Sequence, residues 1–295
     1  MNMNHYTRFR AYQLGTCGAS FSLSVDNHFT LIEARYNDTN SPHILWEMQK
    51  LGISRINTLH ITSWDADHCN ADELQRILVE LRPSRIEYPA YSPHTENGKK
   101  SLGRIKAYHL SCLRKNLRCD SIPITPNVVD NQIMTRLRGE DVFYNPIQLV
   151  VKPNDNSVAK FFRTGSFQIL SLGDCEDCGI RDRLMKDDIL QNEVDILILA
   201  HHGADNGFTT LEFLQTLSPK VAICASDYGN QYGHPAPAIV SRLSNAHIDY
   251  YSTKTGDIIA QSVDKYSFKV SNYISNNEEK GSERIYSNKT YYTKD

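Results

Sequence analysis

Three short apolar runs in this chain each end abruptly in side chains of the metal-ligating type, and this juxtaposition constrains the fold more than any other feature. Residues 56–61 run into the polar cluster 62–70, which holds Ser63-Trp64-Asp65-Ala66-Asp67-His68. Residues 167–172 run into Gly173-Asp174, and residues 194–200 into His201-His202-Gly203. An apolar run of this length bounded by turn residues reads as a buried strand. Carboxylates and imidazoles at the mouths of such strands are unfavourable without a counter-charge, so together they point to a bound cation. Oxygen ligands mixed with an imidazole nitrogen suit Mn, Zn, Fe or Mg. Taken singly, each has a plainer explanation: an Asp after a strand caps a turn, and a His beside Gly bonds its own loop.

Helical spacings fill the intervals between the strands. Ile44, Leu45, Met48 and Leu51 precede Gly52, and Leu74, Ile77, Leu78 and Leu81 precede Pro83; further helices are expected over 181–190, 211–217 and 239–243. Residues 9–25 and 29–34 read as two strands joined by a turn, with more strands over 147–151, 160–163 and 221–225. Alternation of this kind predicts a layered α/β architecture. In 295 residues, 40% hydrophobic and 22% charged, there is material for a sizeable core. Residues 1–270 are expected to form one domain. Residues 271–295, polar and carrying Tyr286, Tyr291 and Tyr292, are expected to be a flexible tail.

A formal net charge of -2 gives no global field for nucleic acid, so any such binding must be local. One local feature qualifies. Lys99, Lys100, Arg104, Lys106, Arg114, Lys115 and Arg118 face Glu96 alone within 94–118, with Tyr91 and Tyr108 nearby. Such a basic arm suits a phosphate backbone, and equally a solvated helix face or a surface for an acidic partner. No run approaches the roughly 20 apolar residues that span a bilayer. No apolar segment follows the charged first ten residues, so a cytoplasmic protein that does not engage a membrane is expected.

Seven cysteines scattered through the chain do not form the framework of a disulfide scaffold. Cys175 and Cys178 form an isolated C-x-x-C, compatible with a redox pair or half a zinc site but lacking a second half. There is no G-x-S-x-G elbow, and no serine with an identifiable base.

An ordered set of motifs carries a resemblance. It comprises Gly15-Thr16-Cys17-Gly18; Leu51-Gly52-Ile53 leading through Leu59 to Asp65, Asp67 and His68; and Asn145 before Leu149-Val150-Val151. It continues with Leu172-Gly173-Asp174, Leu199-Ala200-His201-His202-Gly203, Asn230-Gln231-Tyr232-Gly233-His234-Pro235, and Thr253 followed by Gly256. Over residues 9–270 this set resembles the metallo-β-lactamase superfamily and, within it, the hydrolase domain of the bacterial competence channel protein ComEC. The resemblance implies an α/β four-layer αββα sandwich and one or two divalent ions, Mn, Zn or Mg. It implies that Asp67, His68 and His201 hold one metal, that Asp174 bridges both, and that Asp65 serves the other. Three positions depart from the family pattern. Ser63 stands where a His is usual, Cys69-Asn70-Ala71 where two glycines are usual, and Leu31-Ile32-Glu33-Ala34 where an Asp is usual, with Glu33 as its candidate substitute.

A metal-activated water is then the expected nucleophile. Asp67, His202 and His234 are the candidate catalytic residues, the two imidazoles contacting the scissile group or protonating the leaving oxygen; the plainer role for His234 is to order the turn before Pro235. The resemblance implies a phosphodiester substrate, nucleic acid in particular, gripped by Lys99, Lys100, Arg104, Lys106, Arg114 and Lys115. Stand-alone relatives of this kind resemble proteins of bacterial antiviral defence operons, which implies an effector working with a protein partner from the same operon. Two other classes remain open: a hydrolase of a cyclic nucleotide, thioester or lactam, and a non-catalytic binding module, to which Ser63 points.

Overall fold

In the computed structural model, which describes residues 6–137 and 139–289, the apolar runs sort into two sheets. The chain opens with antiparallel β1 (Thr7–Ala11), β2 (Phe21–Val25) and β3 (His28–Ile32), then extends the same sheet in parallel with β4 (Thr58–His60), β5 (Arg85–Pro89) and β6 (Asp120–Ile124). A second sheet follows from β7 (Val142–Asn145), β8 (Ala159–Phe162), β9 (Ile169–Ser171), β10 (Ile196–Ile198), β11 (Val221–Cys224) and β12 (Asp249–Ser252). The chain then returns to the first sheet with β13 (Ile258–Ser262), β14 (Ser267–Ile274) and β15 (Glu279–Ser287). The strand orders are β15-β14-β13-β1-β2-β3-β4-β5-β6 and β12-β11-β10-β9-β8-β7.

Side-chain alternation along each strand produces the layering. In β10, Ile196 and Ile198 join Phe9, Phe21, Ile169 and Ile223 between the sheets, whereas Leu197 faces outward among Leu214 and Leu243. Helices α1 (Ser41–Lys50), α2 (Ala71–Arg76) and α3 (Glu96–Arg114) cover the first sheet through Ile44, Met48, Leu74 and Ile105. After α4 (Pro126–Thr135), helices α5 (Cys178–Met185), α6 (Asp188–Glu193), α7 (Leu211–Leu217) and α8 (Pro237–Asn245) cover the second through Leu184, Leu190, Phe213 and Ile239. Each fully buried aliphatic or aromatic side chain contributes about 1.5–3 kcal/mol. The result is the expected four-layer αββα sandwich. The loops after β4, β9, β10 and β11 all leave the carboxyl ends of parallel strands, so they gather at one edge of the sandwich.

The elements differ from the sequence expectations in four places. Residues 9–25 form two strands, because the loop over 12–20 leaves the sheet to reach the site edge, where Ala19 N donates to Asp67 O at 3.0 Å. The helix expected over 181–190 breaks at Asp187, whose carboxylate accepts from Ile189 N and Leu190 N and starts α6. Residues 147–151 form no strand: Asn156 ties the loop to Val150 N and O, and Val151 is 93% exposed. Most of the basic arm is the helix α3. The expected flexible tail is corrected up to residue 289, since β14 and β15 pair as a hairpin at the sheet edge. Phe268 stacks on Tyr286 there, and the Tyr286 hydroxyl donates to Asp249 at 2.8 Å. Tyr291 and Tyr292 lie outside the described residues. Among the described residues no helix is long and apolar enough to cross a membrane.

Candidate metal centre

The loop after β4 is fixed from three sides. His68 N and Cys69 N donate to Asp65 O at 3.0 and 2.7 Å, a tight turn that puts Asp67 and His68 at its apex. Asn70 then caps α2, accepting from Asp72 N and Glu73 N. Beneath the turn lies Glu33, buried and in a left-handed conformation (φ 70°). Its carboxylate accepts from Thr62 N at 3.1 Å and Thr62 Oγ1 at 2.5 Å, and sits 3.1 Å from His68 Nδ1. The opposite ring nitrogen, His68 Nε2, is 2.9 Å from Asp174 Oδ1. Asp174 comes this close because Gly173 precedes it: a Cβ at Gly173, where φ is +54°, would lie 2.9 Å from the Thr62 side chain.

After β10 the backbone is left-handed at three successive residues, His201 (φ 46°), His202 (φ 53°) and Gly203 (φ 79°). A Cβ at Gly203 would meet Pro235 Cβ at 2.8 Å, so only glycine lets the loop over 226–235 close against it. Non-glycine residues rarely adopt this conformation, and here it sends the two imidazoles apart. His202 Nδ1 is 2.9 Å from Ala225 O and therefore carries the proton, which leaves Nε2 as the free lone pair, 3.4 Å from Asp67 Oδ2 and 4.0 Å from Asp174 Oδ1. His201 turns to Glu176, with Nδ1 2.5 Å from Oε1, and its ring lies 6.0 Å from that of His234. The expected ligand His201 thus points to Glu176, and it is His202 whose ring lies nearest Asp67 and His68.

Potential ligand atoms of Asp67, His68 and His202 lie within 4.8 Å of one another, the one such group of three or more among the described residues. His68 Nε2, His202 Nε2 and Asp174 Oδ1 are buried without a well-aligned hydrogen bond, as is His201 Nδ1 against Glu176, although His68 Nε2 and Asp174 Oδ1 lie only 2.9 Å apart. Buried polar atoms are almost always paired, so convergence of three that are not, with a carboxylate beside them, fits a divalent cation of the N/O-ligated type. Charge agrees. Burial drives Asp65 above its ordinary range, with Asp174 and Asp67 adding to the effect. Asp174 is held below its range because the attraction of His68 outweighs burial, and Asp67 is held below because His202 and His68 do the same. His68 is raised well above its range, burial being outweighed by Asp174 and Glu33.

Asp65 sits beside this group without an imidazole of its own. Ser63 Oγ is 3.4 Å from both Asp65 Oδ2 and the Tyr91 hydroxyl, which itself accepts from Trp64 N. Asp67 and His202 form one wall of a cavity of about 200 Å³, with Cys17, Asn230, Tyr232 and His234 on the others. Burial lowers the His234 pKa, and the nearby His202 and His201 lower it further.

None of the six basic candidates lines this cavity. Lys99 pairs with Glu96 and Arg104 with Asp72, each at 2.8 Å, while Lys100, Lys106, Arg114 and Lys115 are exposed along α3. The helix nonetheless starts beneath the metal loop, where Asn97 Nδ2 donates to Trp64 O and Cys69 O. Cys175 is buried and Cys178 exposed at the start of α5, and all seven cysteines are free. Glu176 escaped sequence reasoning, and Tyr91 was expected only as an aromatic beside the basic arm, not as a partner of Ser63. Glu176 had one usable signal, its position two residues beyond Asp174 in the same strand-terminal loop.

No protein-family profile matches the chain. A stretch of 96 residues is 31% identical to the ComE operon protein 3 of Bacillus subtilis (strain 168), covering 32% of this chain and only 12% of that protein. Among solved structures, Igni18, a metallo hydrolase from the hyperthermophilic archaeon Ignicoccus hospitalis KIN4/I, superposes with a TM-score of 0.51 at 12% identity, covering 86% of this chain and 98% of that one. The metallo-β-lactamase fold protein YhfI of Bacillus subtilis superposes with a TM-score of 0.48 at 10% identity, covering 85% and 98%.

Proposed function

We propose that this chain, which has the metallo-β-lactamase fold, is a metal-dependent hydrolase of phosphodiesters, nucleic acid foremost. The observation that carries the hydrolase reading is the convergence of His68 Nε2, His202 Nε2, Asp67 and Asp174, buried and short of partners, at the carboxyl ends of both sheets. These four residues would hold one divalent cation, Mn, Zn or Mg; a second ion beside Asp65 is disfavoured by Ser63. When bound, such an ion supplies positive charge to the reacting oxygens and acidifies water for attack at neutral pH.

The remaining work falls to protein groups. Glu33 and the Ala225 carbonyl hold the tautomers of His68 and His202. His201, with Glu176 against Nδ1, is the proton donor to the leaving oxygen, and His234, its pKa lowered, accepts a hydrogen bond from the substrate. The exposed Lys100, Lys106, Arg114 and Lys115 are the phosphate contacts, Arg104 and Lys99 being already paired. The partial identity to ComE operon protein 3 is in keeping with this assignment.

A small-ester substrate is the second reading, favoured by a cavity of about 200 Å³ that no basic residue of α3 lines. The deciding assay offers single- and double-stranded DNA and RNA, and bis(p-nitrophenyl) phosphate, to the protein with Mn, Mg or Zn, beside Asp174→Ala and the charge reversals Lys106→Glu and Lys115→Glu. Metal-dependent cleavage of nucleic acid, lost in Asp174→Ala and weakened by the reversals, is expected. Cleavage of the small ester alone would replace the nucleic-acid reading, and no cleavage with any metal would end the hydrolase reading.

A further inference from the structure

The loop after β11 presents an aromatic face to the metal cavity. Tyr232 lines the cavity with Asp67 and His202, yet is 67% exposed. Its ring stacks on His234, with centroids 5.7 Å apart and planes inclined by 25°. The loop that carries it is cross-tied: Asn230 Nδ2 donates to Asp227 O at 2.7 Å and to His234 O at 3.0 Å, and His234 N donates to Asn230 Oδ1 at 2.7 Å. Beyond it, Ala236 N donates to Gly203 O at 2.9 Å, locking the loop to the left-handed turn that carries His202. A loop already tied by these bonds has less backbone freedom to lose when a ligand binds beside it. One face of the ring is covered by His234, so the other is left for a flat ligand.

We infer that Tyr232 and His234 form a stacking platform for one unpaired nucleobase next to the scissile phosphate, so that the substrate is single-stranded nucleic acid. This rests on the phosphodiesterase reading of the same cavity. Stacking requires a base whose faces are free; within a duplex both are occupied by neighbouring pairs, and opening them costs a few kcal/mol. Among the described residues no lysine or arginine lines the cavity, which fits a pocket that grips a base and leaves the flanking phosphates to the surface.

The test reads binding separately from turnover. A ten-nucleotide single strand with one internal 2-aminopurine is titrated with the protein in chelator, beside its duplex, Tyr232→Ala and Tyr232→Phe. Fluorescence quenching by the wild type and Tyr232→Phe is expected, with affinity falling about 5- to 150-fold in Tyr232→Ala and weak quenching of the duplex. Cleavage with added metal supplies the second reading: the ratio of cutting beside a base to cutting beside an abasic position should fall in Tyr232→Ala. Unchanged binding and an unchanged ratio in Tyr232→Ala would overturn the platform, whatever the activity. Tyr232-dependent quenching with no cleavage under any metal would instead retain the platform and remove the hydrolase reading.

Discussion

The Glu33 carboxylate lies 3.1 Å from Nδ1 of His68, and the two side chains are 1% and 4% exposed. A buried carboxylate at one ring nitrogen holds the proton there and frees the other nitrogen for a cation, which is how many histidine ligands are oriented. Glu33→Gln should therefore lower divalent-metal affinity about 10–100-fold while far-ultraviolet circular dichroism stays unchanged. Competition with a chromophoric chelator measures it, and an unaltered affinity would remove Glu33 from the site.

The neighbouring imidazoles should separate cleanly. His202→Ala is expected to abolish stoichiometric metal binding. His201→Ala should keep the metal and lose about 10²–10⁴-fold in turnover, the usual contribution of a general acid. Metal content by mass spectrometry beside a kcat for each variant decides the matter; loss of metal from His201→Ala would reverse the assignment.

The two sheets are joined by a buried charge network away from the metal loops. Lys160 on β8 reaches Glu87 on β5 at 3.0 Å and Asp141 at 3.3 Å, and Glu87 also meets His60 at 3.1 Å and Arg85 at 2.8 Å. Burial alone would raise the Glu87 pKa, but Lys160 and then His60 outweigh it and hold the group below the carboxylate range. A depressed folded value means that the stabilisation is complete above the unfolded value of about 4.3 and is lost as the pH falls below it. Lys160→Met should cost about 1–3 kcal/mol at pH 7, because Glu87 loses its Lys160 partner and keeps only Arg85 at 2.8 Å and His60 at 3.1 Å. That cost should shrink as the pH is lowered below about 5, where the stranded carboxyl takes up a proton. Urea unfolding at pH 7 and pH 4 tests both statements; a cost that grows with acidity would contradict the sign.

Thiol chemistry gives a simple count. Among the seven cysteines only Cys178 is exposed and Cys17 half-buried; the rest are buried. Burial raises the Cys175 thiol, and the Asp174 charge raises it further, so Cys175 resists forming a thiolate. A chromogenic disulfide reagent should titrate two thiols rapidly in the native protein and seven after denaturation. Rapid joint reaction of Cys175 and Cys178 would restore the redox-pair reading.

How much of this was legible in the sequence depends on what each residue depends on. Leu74, Ile77, Leu78 and Leu81 announce their helical face because burial against one sheet imposes the period, even though the last turn closes as a π-helix over Ile77–Leu81. Asp67, His68 and Asp174 were visible because they follow apolar strands. His201 was expected as the ligand and His202 as the catalytic group, but adjacent histidines carry no signal of their own, since only the left-handed backbone decides which ring enters the cluster. Residues 147–151 imitate a strand in composition, but Asn156 captures the backbone groups that a ladder would need. The β15 strand escaped notice for the opposite reason: as an edge strand its residues are almost all exposed, so no apolar alternation marks it.

The pairing of β1 with β13 sets Phe9 opposite Ala260. At ribosomal speeds of about 5–20 residues per second, the second of these emerges roughly 10–50 s after the first. Through that interval β1 has β2 on one side and an open row of peptide groups on the other, and contacts so distant in sequence also slow folding. A nascent chain of this topology therefore spends most of its synthesis with an uncapped sheet edge, a template for pairing with other chains that comes from its strand order and not from its surface composition.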